Sequence, residues 1–184
     1  LERATARRQN VDVLSRSAGI DPCVVPAIDS AAIPSSDSHR AASALVHPRY
    51  PFALHASEKA AFLSHRACWQ RLLDEAHDMA LVIEDDVILG PDFHKAMALA
   101  RASLTPGALV RFPVKRRETA LATIASRDST RLFRPRTVGL GMQVQLVTRE
   151  AAIRLLAATE RFDRPVDTFV QMTWRHRADV LTVW

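Results

Sequence analysis

Residues 79–89 read MALVIEDDVIL. The first five form a continuous apolar run, the pattern of a strand buried on both faces in a parallel sheet. Three carboxylates follow without a spacer, Glu84, Asp85 and Asp86, and apolar residues then resume. Acids at the mouth of a buried strand are costly unless a positive group sits against them. The identity of that group decides what the stretch is for.

Working outward, Glu58 to about His77 reads as a helix, with Ser57 as its N-cap and Glu58 in the first turn. Phe62, His65, Trp69 and Leu72 recur at helical spacing, an apolar stripe interrupted by one histidine. Further upstream, residues 3–18 read as a surface helix with Val11, Leu14 and Ala18 on one face and Gly19 at its end. CVVPAI (23–28) reads as a short buried strand, and 29–56 as a long Ser-, Pro- and His-rich loop. Downstream, Pro91 opens a helix and GALVRFPV (107–114) is a strand. TRLFRP (130–135) ends a basic segment as a strand-like run. MQVQLVT (142–148) alternates in and out, and Thr148 caps a helix over 149–160. PVDTFVQMTW (165–174) is a short helix, and DVLTVW (179–184) closes as a strand. Alternating strands and helices indicate an α/β domain with a mostly parallel sheet.

The 184 residues suit a single domain spanning 1–184, and 48% hydrophobic content argues against disorder. No apolar run reaches membrane-spanning length, and the start, LERATARRQN, carries no signal-like apolar region. That start reads as the interior of a longer frame. Cys23 and Cys68 lack any CxxC or zinc spacing, so they are expected to be reduced and buried, in a cytoplasmic protein. A disulfide between them is the alternative. The net charge of +5 concentrates in Arg111, Lys115, Arg116, Arg117, Arg127, Arg131, Arg134 and Arg136, against Glu118 and Asp128. Such a segment is either a solvated loop or a contact for phosphate or anionic lipid. With few aromatics and no recognisable binding module, nucleic acid is not expected as a partner.

In open α/β sheets ligands bind beyond the carboxyl ends of the strands, where Glu84, Asp85 and Asp86 fall. Hard oxygen donors suit Mg²⁺ or Mn²⁺ bridging to a diphosphate, with arginine taking up the remaining charge. The alternative is an acidic turn that caps a helix or pairs with arginine. Taken alone, His65 is a core histidine, Arg3, Arg7 and Arg8 are helix-surface charges, and Glu58 is a first-turn acid.

The stretch ASEKAAFLSHRACWQRLLDEAHDMALVIEDDVIL resembles the core signature of glycosyltransferase family 25, the lipopolysaccharide-type and collagen galactosyltransferases. Glu58, Ser64, His65, Trp69 and Glu84 to Val87 carry the likeness. GMQVQLVTREAAIRLL, RPVDTFV and LERATARRQNVD resemble later and earlier family segments, with the family's first strand falling before Leu1. The resemblance implies a GT-A-like (Rossmann-like) α/β fold and transfer of a hexose, galactose or glucose, from a UDP-sugar. The acceptor it implies is a hydroxyl of a cell-surface glycan or a lipid-linked, lipopolysaccharide-type saccharide. It implies an inverting reaction and a DxD-like motif, with Mn²⁺ or Mg²⁺ held by Glu84 and Asp86. The resemblance also puts Asp85 in the donor-binding set, with its side chain turned elsewhere. It places Arg3, Arg8, Glu58 and His65 beside the nucleotide and makes Asp167 the candidate base, with Asp86 catalytic through the metal.

Several positions depart from the family pattern: Ser57, Ala60, Ala61, Met142 and Gln145. These are expected at donor or acceptor contacts, so a non-catalytic relative that binds nucleotide or glycan is the competing expectation. If the basic segment is a lipid contact and not a solvated loop, it would hold the protein peripherally on the inner membrane.

Overall fold

The computed structural model describes residues 5–38, 40–43 and 45–184. Along the chain run α1 (Thr5–Ala18), α2 (Ser35–Ser38), α3 (Ala56–Asp74), β1 (Met79–Ile83), α4 (Phe93–Ala102), β2 (Ala108–Arg111) and β3 (Ala120–Arg127). Then follow β4 (Thr130–Pro135), β5 (Val144–Thr148), α5 (Arg149–Ala158), α6 (Val166–Val170), α7 (Thr173–His176) and β6 (Asp179–Val183). Local signals account for most of these boundaries. Gly19 leaves α1 at φ +66°, a conformation open to glycine. Thr148 accepts the Ala151 N–H at 3.3 Å and starts α5 as expected. α3 begins two residues early: His55 is its N-cap and Ser57 lies inside the first turn.

The strands form one six-stranded sheet in the order β1-β5-β2-β6-β4-β3. Only β2 and β6 pair in parallel; β1–β5, β2–β5, β4–β6 and β3–β4 are antiparallel. The architecture is α/β, but the sheet is mixed and not mostly parallel. The reason lies in β5, all five residues of which are buried and do not alternate. A strand covered by helices on both faces reads as one apolar run whichever way it points, so direction is invisible to periodicity. β3 and β4 make a hairpin whose turn places Asp128 at φ +52°, which Asp tolerates. β3 was hidden inside the basic segment read as a loop. CVVPAI (23–28) is not a strand: Val24 is 63% exposed, Pro26 has no N–H to offer, and Ile28 N–H donates to Ser64 Oγ instead.

Two cores flank the sheet. On one face Phe62, Leu63, Trp69 and Leu72 of α3 pack with Ala151 and Leu155 of α5 and with Leu109, Val147 and Val180 of the sheet. On the other, Ala96, Leu99 and Ala100 of α4 pack on Val110, Leu132, Leu146, Leu181 and Val183. Adjacent residues of β2, β5 and β6 thus divide between faces, as pleating requires. The rings of Phe62 and Phe162 stack at 3.9 Å.

The long loop before α3 is tied down by a buried pair. Asp163 accepts from Leu45 N–H (2.8 Å) and Val46 N–H (3.1 Å), while Arg164 donates to the carbonyls of Val46 and Pro48. Among the described residues no helix is long and apolar enough to cross a membrane.

Candidate active site at the carboxyl edge of the sheet

β1 and β2 both run opposite to β5, and β6 runs with β2, so the carboxyl ends of β1, β2 and β6 share one edge. The amino end of β5 meets them there. Along β1, Ala80 and Val82 face the α3 side, and Leu81 and Ile83 face the other. Continuing that alternation sends Glu84 toward α3 and Asp85 toward α1. The contacts agree. His65 Nε2 lies 3.1 Å from Glu84 Oε1. Arg7 of α1 reaches Asp85 Oδ1 at 3.1 Å and Asp86 Oδ2 at 3.3 Å.

Among the described residues, the acidic triplet is met by the positive charge of Arg7 and by the imidazole of His65. All three members of the Arg7 cluster are one-third to one-half exposed, so these pairs contribute at most about 1 kcal/mol each. Asn10, one helical turn from Arg7, donates to the backbone carbonyls of Asp85 (2.8 Å) and Val87 (3.0 Å). It shapes the acidic turn without neutralising it. Arg7 and Asn10 share the α1 face with Leu14 and Ala18, which turns both toward the acidic turn. Arg8, carried over by resemblance, is exposed and makes no hydrogen bond or ion pair among the described residues. Arg3 lies outside the described residues.

His65 is 5% exposed within the stripe of Phe62, Trp69 and Leu72. Its Nδ1 faces Gln145 Nε2 at 3.0 Å, and Gln145 Oε1 accepts from Trp69 Nε1–H at 3.2 Å. The imidazole is a core histidine and a partner of the edge acid at once. Met142 and Gln145, expected to touch donor or acceptor, are 3% and 0% exposed. Both departures fall on the core.

Residues 139–143 close the edge. Glu84 N–H donates to Gln143 carbonyl at 2.8 Å, and Gly141 N–H donates to Asp167 Oδ2 at 3.2 Å. Asp167, at the start of α6, thus contacts the same short loop that the Glu84 backbone contacts. Its Oδ1 accepts Thr168 N–H at 2.7 Å. Gly141 sits at φ +101°, where a Cβ would come within 2.6 Å of Gln143 Oε1. Below the loop, Arg111 is 1% exposed and donates to Glu118 Oε1 (2.6 Å) and to the Gly141 and Leu140 carbonyls. Glu118 also accepts Gly139 N–H.

Arg111 is thereby removed from the basic segment as a ligand contact, and Arg134 is held by Asp179 in a two-pronged pair. Lys115, Arg116 and Arg117 remain exposed on the segment that leaves β2 at the acidic edge. Glu58 accepts His55 N–H at 2.8 Å, the behaviour of a first-turn acid. The Arg164 guanidinium lies 5.8 Å over the Tyr50 ring. Burial pushes the Tyr50 phenol pKa up, Glu58 and Asp167 add to that, and Arg164 opposes them.

Cys23 and Cys68 are both free thiols; Cys23 is exposed, not buried. A cavity of about 550 Å³ lined by Arg154, Arg175 and Arg177 lies at the other end of β2 and β6, away from the acids.

Among the described residues no three His, Cys, Asp or Glu side chains converge as a closed metal cage. The donors at the edge are hard carboxylate oxygens. Mg²⁺ and Mn²⁺ commonly take one or two carboxylates and complete their shells with water and substrate phosphate. Glu84 and Asp86 are partly exposed carboxylates of that kind.

The molecule is a mixed α/β domain whose acids and hydrogen-bonded 139–143 loop lie at the carboxyl end of its strands, the place where open α/β sheets take their ligands. Residues 1–170 match the family described as Glycosyltransferase family 25 (LPS biosynthesis protein), and the chain belongs to that family. A 41-residue stretch is 49% identical to the lacto-N-neotetraose biosynthesis glycosyltransferase LgtE of Neisseria meningitidis serogroup B (strain ATCC BAA-335 / MC58). The match covers 22% of this chain and 15% of that protein.

Proposed function

We propose that the chain is a hexosyltransferase, moving galactose or glucose from a UDP-sugar to a hydroxyl of a lipopolysaccharide-type glycan with inversion. The observation that carries this reading is the acidic turn: Glu84, Asp85 and Asp86 stand at the carboxyl edge of β1, countered among the described residues by a shallow arginine pair and by His65. Carboxylates so weakly satisfied are open to exchange for a cation–diphosphate. Mn²⁺ or Mg²⁺, when bound, would offset the charge on the leaving UDP. Glu84 and Asp86 would hold it. Arg7, released from the acids, can turn its two-pronged guanidinium to phosphate oxygens. Asp167 is the base of the proposal: it takes the proton of the acceptor hydroxyl as that oxygen forms its bond to the anomeric carbon and the bond to UDP breaks. The Gly141 and Thr168 N–H groups fix its carboxylate for that task.

Calorimetric titration of UDP with and without Mn²⁺, on the intact chain and on Asp86→Asn, tests the reading. Binding that needs Mn²⁺ and fails in the variant supports it. A well-folded protein that ignores UDP and Mn²⁺ sinks it.

A further inference from the structure

Trp69, Gln145, His65 and Glu84 form an unbroken polar chain from the core to the acidic edge. Its links differ in what they can do. An indole Nε1–H can only donate, so the Gln145 atom facing Trp69 at 3.2 Å is the amide oxygen. The amide NH₂ is then the end that faces His65 Nδ1 at 3.0 Å, and it too can only donate. Nδ1 must accept, which puts the imidazole proton on Nε2, 3.1 Å from Glu84 Oε1. One donor-only group in the core thus sets the polarity of every link out to the surface. Gln145 is fully buried and lies on β5 between Val82 of β1 and Arg111 of β2, so it has little room to turn.

We propose that Gln145, held by Trp69, is a positioning residue: it fixes the His65 proton on Nε2, and His65 in turn aims the Glu84 carboxylate. With Oε1 held by His65, Glu84 Oε2 accepts no hydrogen bond among the described residues and is the oxygen presented at the edge. Such outer partners set ligand orientation, and their loss typically weakens metal binding about 10-fold or more. This role rests on the reading of Glu84 as a ligand of the cation–diphosphate.

Two variants separate the links. Gln145→Glu keeps the shape but faces Nδ1 with a carboxylate oxygen, which demands a proton on Nδ1. Trp69→Phe removes the indole N–H at a distance from the edge and frees Gln145 to turn over. The first readout is the His65 tautomer, from long-range ¹H–¹⁵N correlation spectra of the metal-free protein, assigned by comparison with His65→Asn. The second is Mn²⁺ affinity in the presence of UDP. We expect the Nε2–H form in the parent chain, a shift to Nδ1–H in Gln145→Glu, and loss of a single form in Trp69→Phe. Mn²⁺ binding should weaken about 10-fold in Gln145→Glu and less in Trp69→Phe. A parent protein with its proton on Nδ1 overturns the proposal. So do folded variants that keep both the Nε2–H form and the parent affinity. If Gln145→Glu does not fold, Trp69→Phe decides by the same two readouts. A parent chain that binds no Mn²⁺–UDP defeats the proposed function, and the tautomers then decide the relay by themselves.

Discussion

Replacing Glu118 by alanine should destabilise the domain severely. The Glu118 side chain is 4% exposed and Arg111 2%, and their contact is 2.6 Å. Removing the carboxylate leaves a guanidinium buried without its counter-charge, which costs about 3–5 kcal/mol. For a chain of 184 residues each kcal/mol corresponds to roughly 2–4 °C in Tm, so the midpoint should fall by about 6–20 °C. Glu118→Gln keeps an acceptor for Arg111 and for Gly139 N–H and loses only the charge, so it should fall between alanine and the parent. Arg111→Met with Glu118→Leu removes both charges and should recover part of the alanine loss, because no unpaired ion remains. Calorimetric melting, checked by urea unfolding, measures all three. An alanine variant within about 1 kcal/mol of the parent would refute the argument from the buried pair. A double variant no better than the single would show that shape and hydrogen bonding, not charge, hold the loop at 139–143.

Three further outcomes are expected. Asn10→Ala removes two hydrogen bonds at the acidic turn and should cost about 1–3 kcal/mol in urea unfolding, whereas the two exposed pairs of Arg7 together limit Arg7→Ala to about 2 kcal/mol and should leave it the milder change; the reverse order would contradict the geometry. Burial holds the His176 imidazole below its ordinary pKa, partly offset by its bond to the Val170 carbonyl, so its neutral form stabilises the fold fully above the unfolded value of about 6.5. That contribution is lost as pH falls from there through the folded value, and a stability–pH curve for His176→Gln should lack this part of the decline. Burial pushes the Cys68 thiol up to about 11 while Cys23 is exposed, so a thiol reagent at neutral pH should label Cys23 in the folded protein and Cys68 only after unfolding.

The residues by themselves determined a good deal here. The apolar run at 79–83, the Phe62–His65–Trp69–Leu72 stripe, the Thr148 cap and the Gly19 stop are local signals, and each appears in the structure where the spacing put it. They suffice for an α/β domain with acids at a strand end. Strand direction was not legible, because β5 is buried on both faces and a buried run carries no sign of its partner. The role of each charge was not legible either. Arg111 looked like its exposed neighbours Lys115 and Arg116, and only the fold buries it against Glu118. Arg7 and Arg8 are adjacent, but a helix turns about 100° per residue, so only one faces Asp85. Gln145 read as an anomaly until β5 set it between Trp69 and His65, 76 and 80 residues away along the chain. Periodicity is a property of neighbours in sequence, whereas the partner of a buried polar group is chosen by the packing of distant elements.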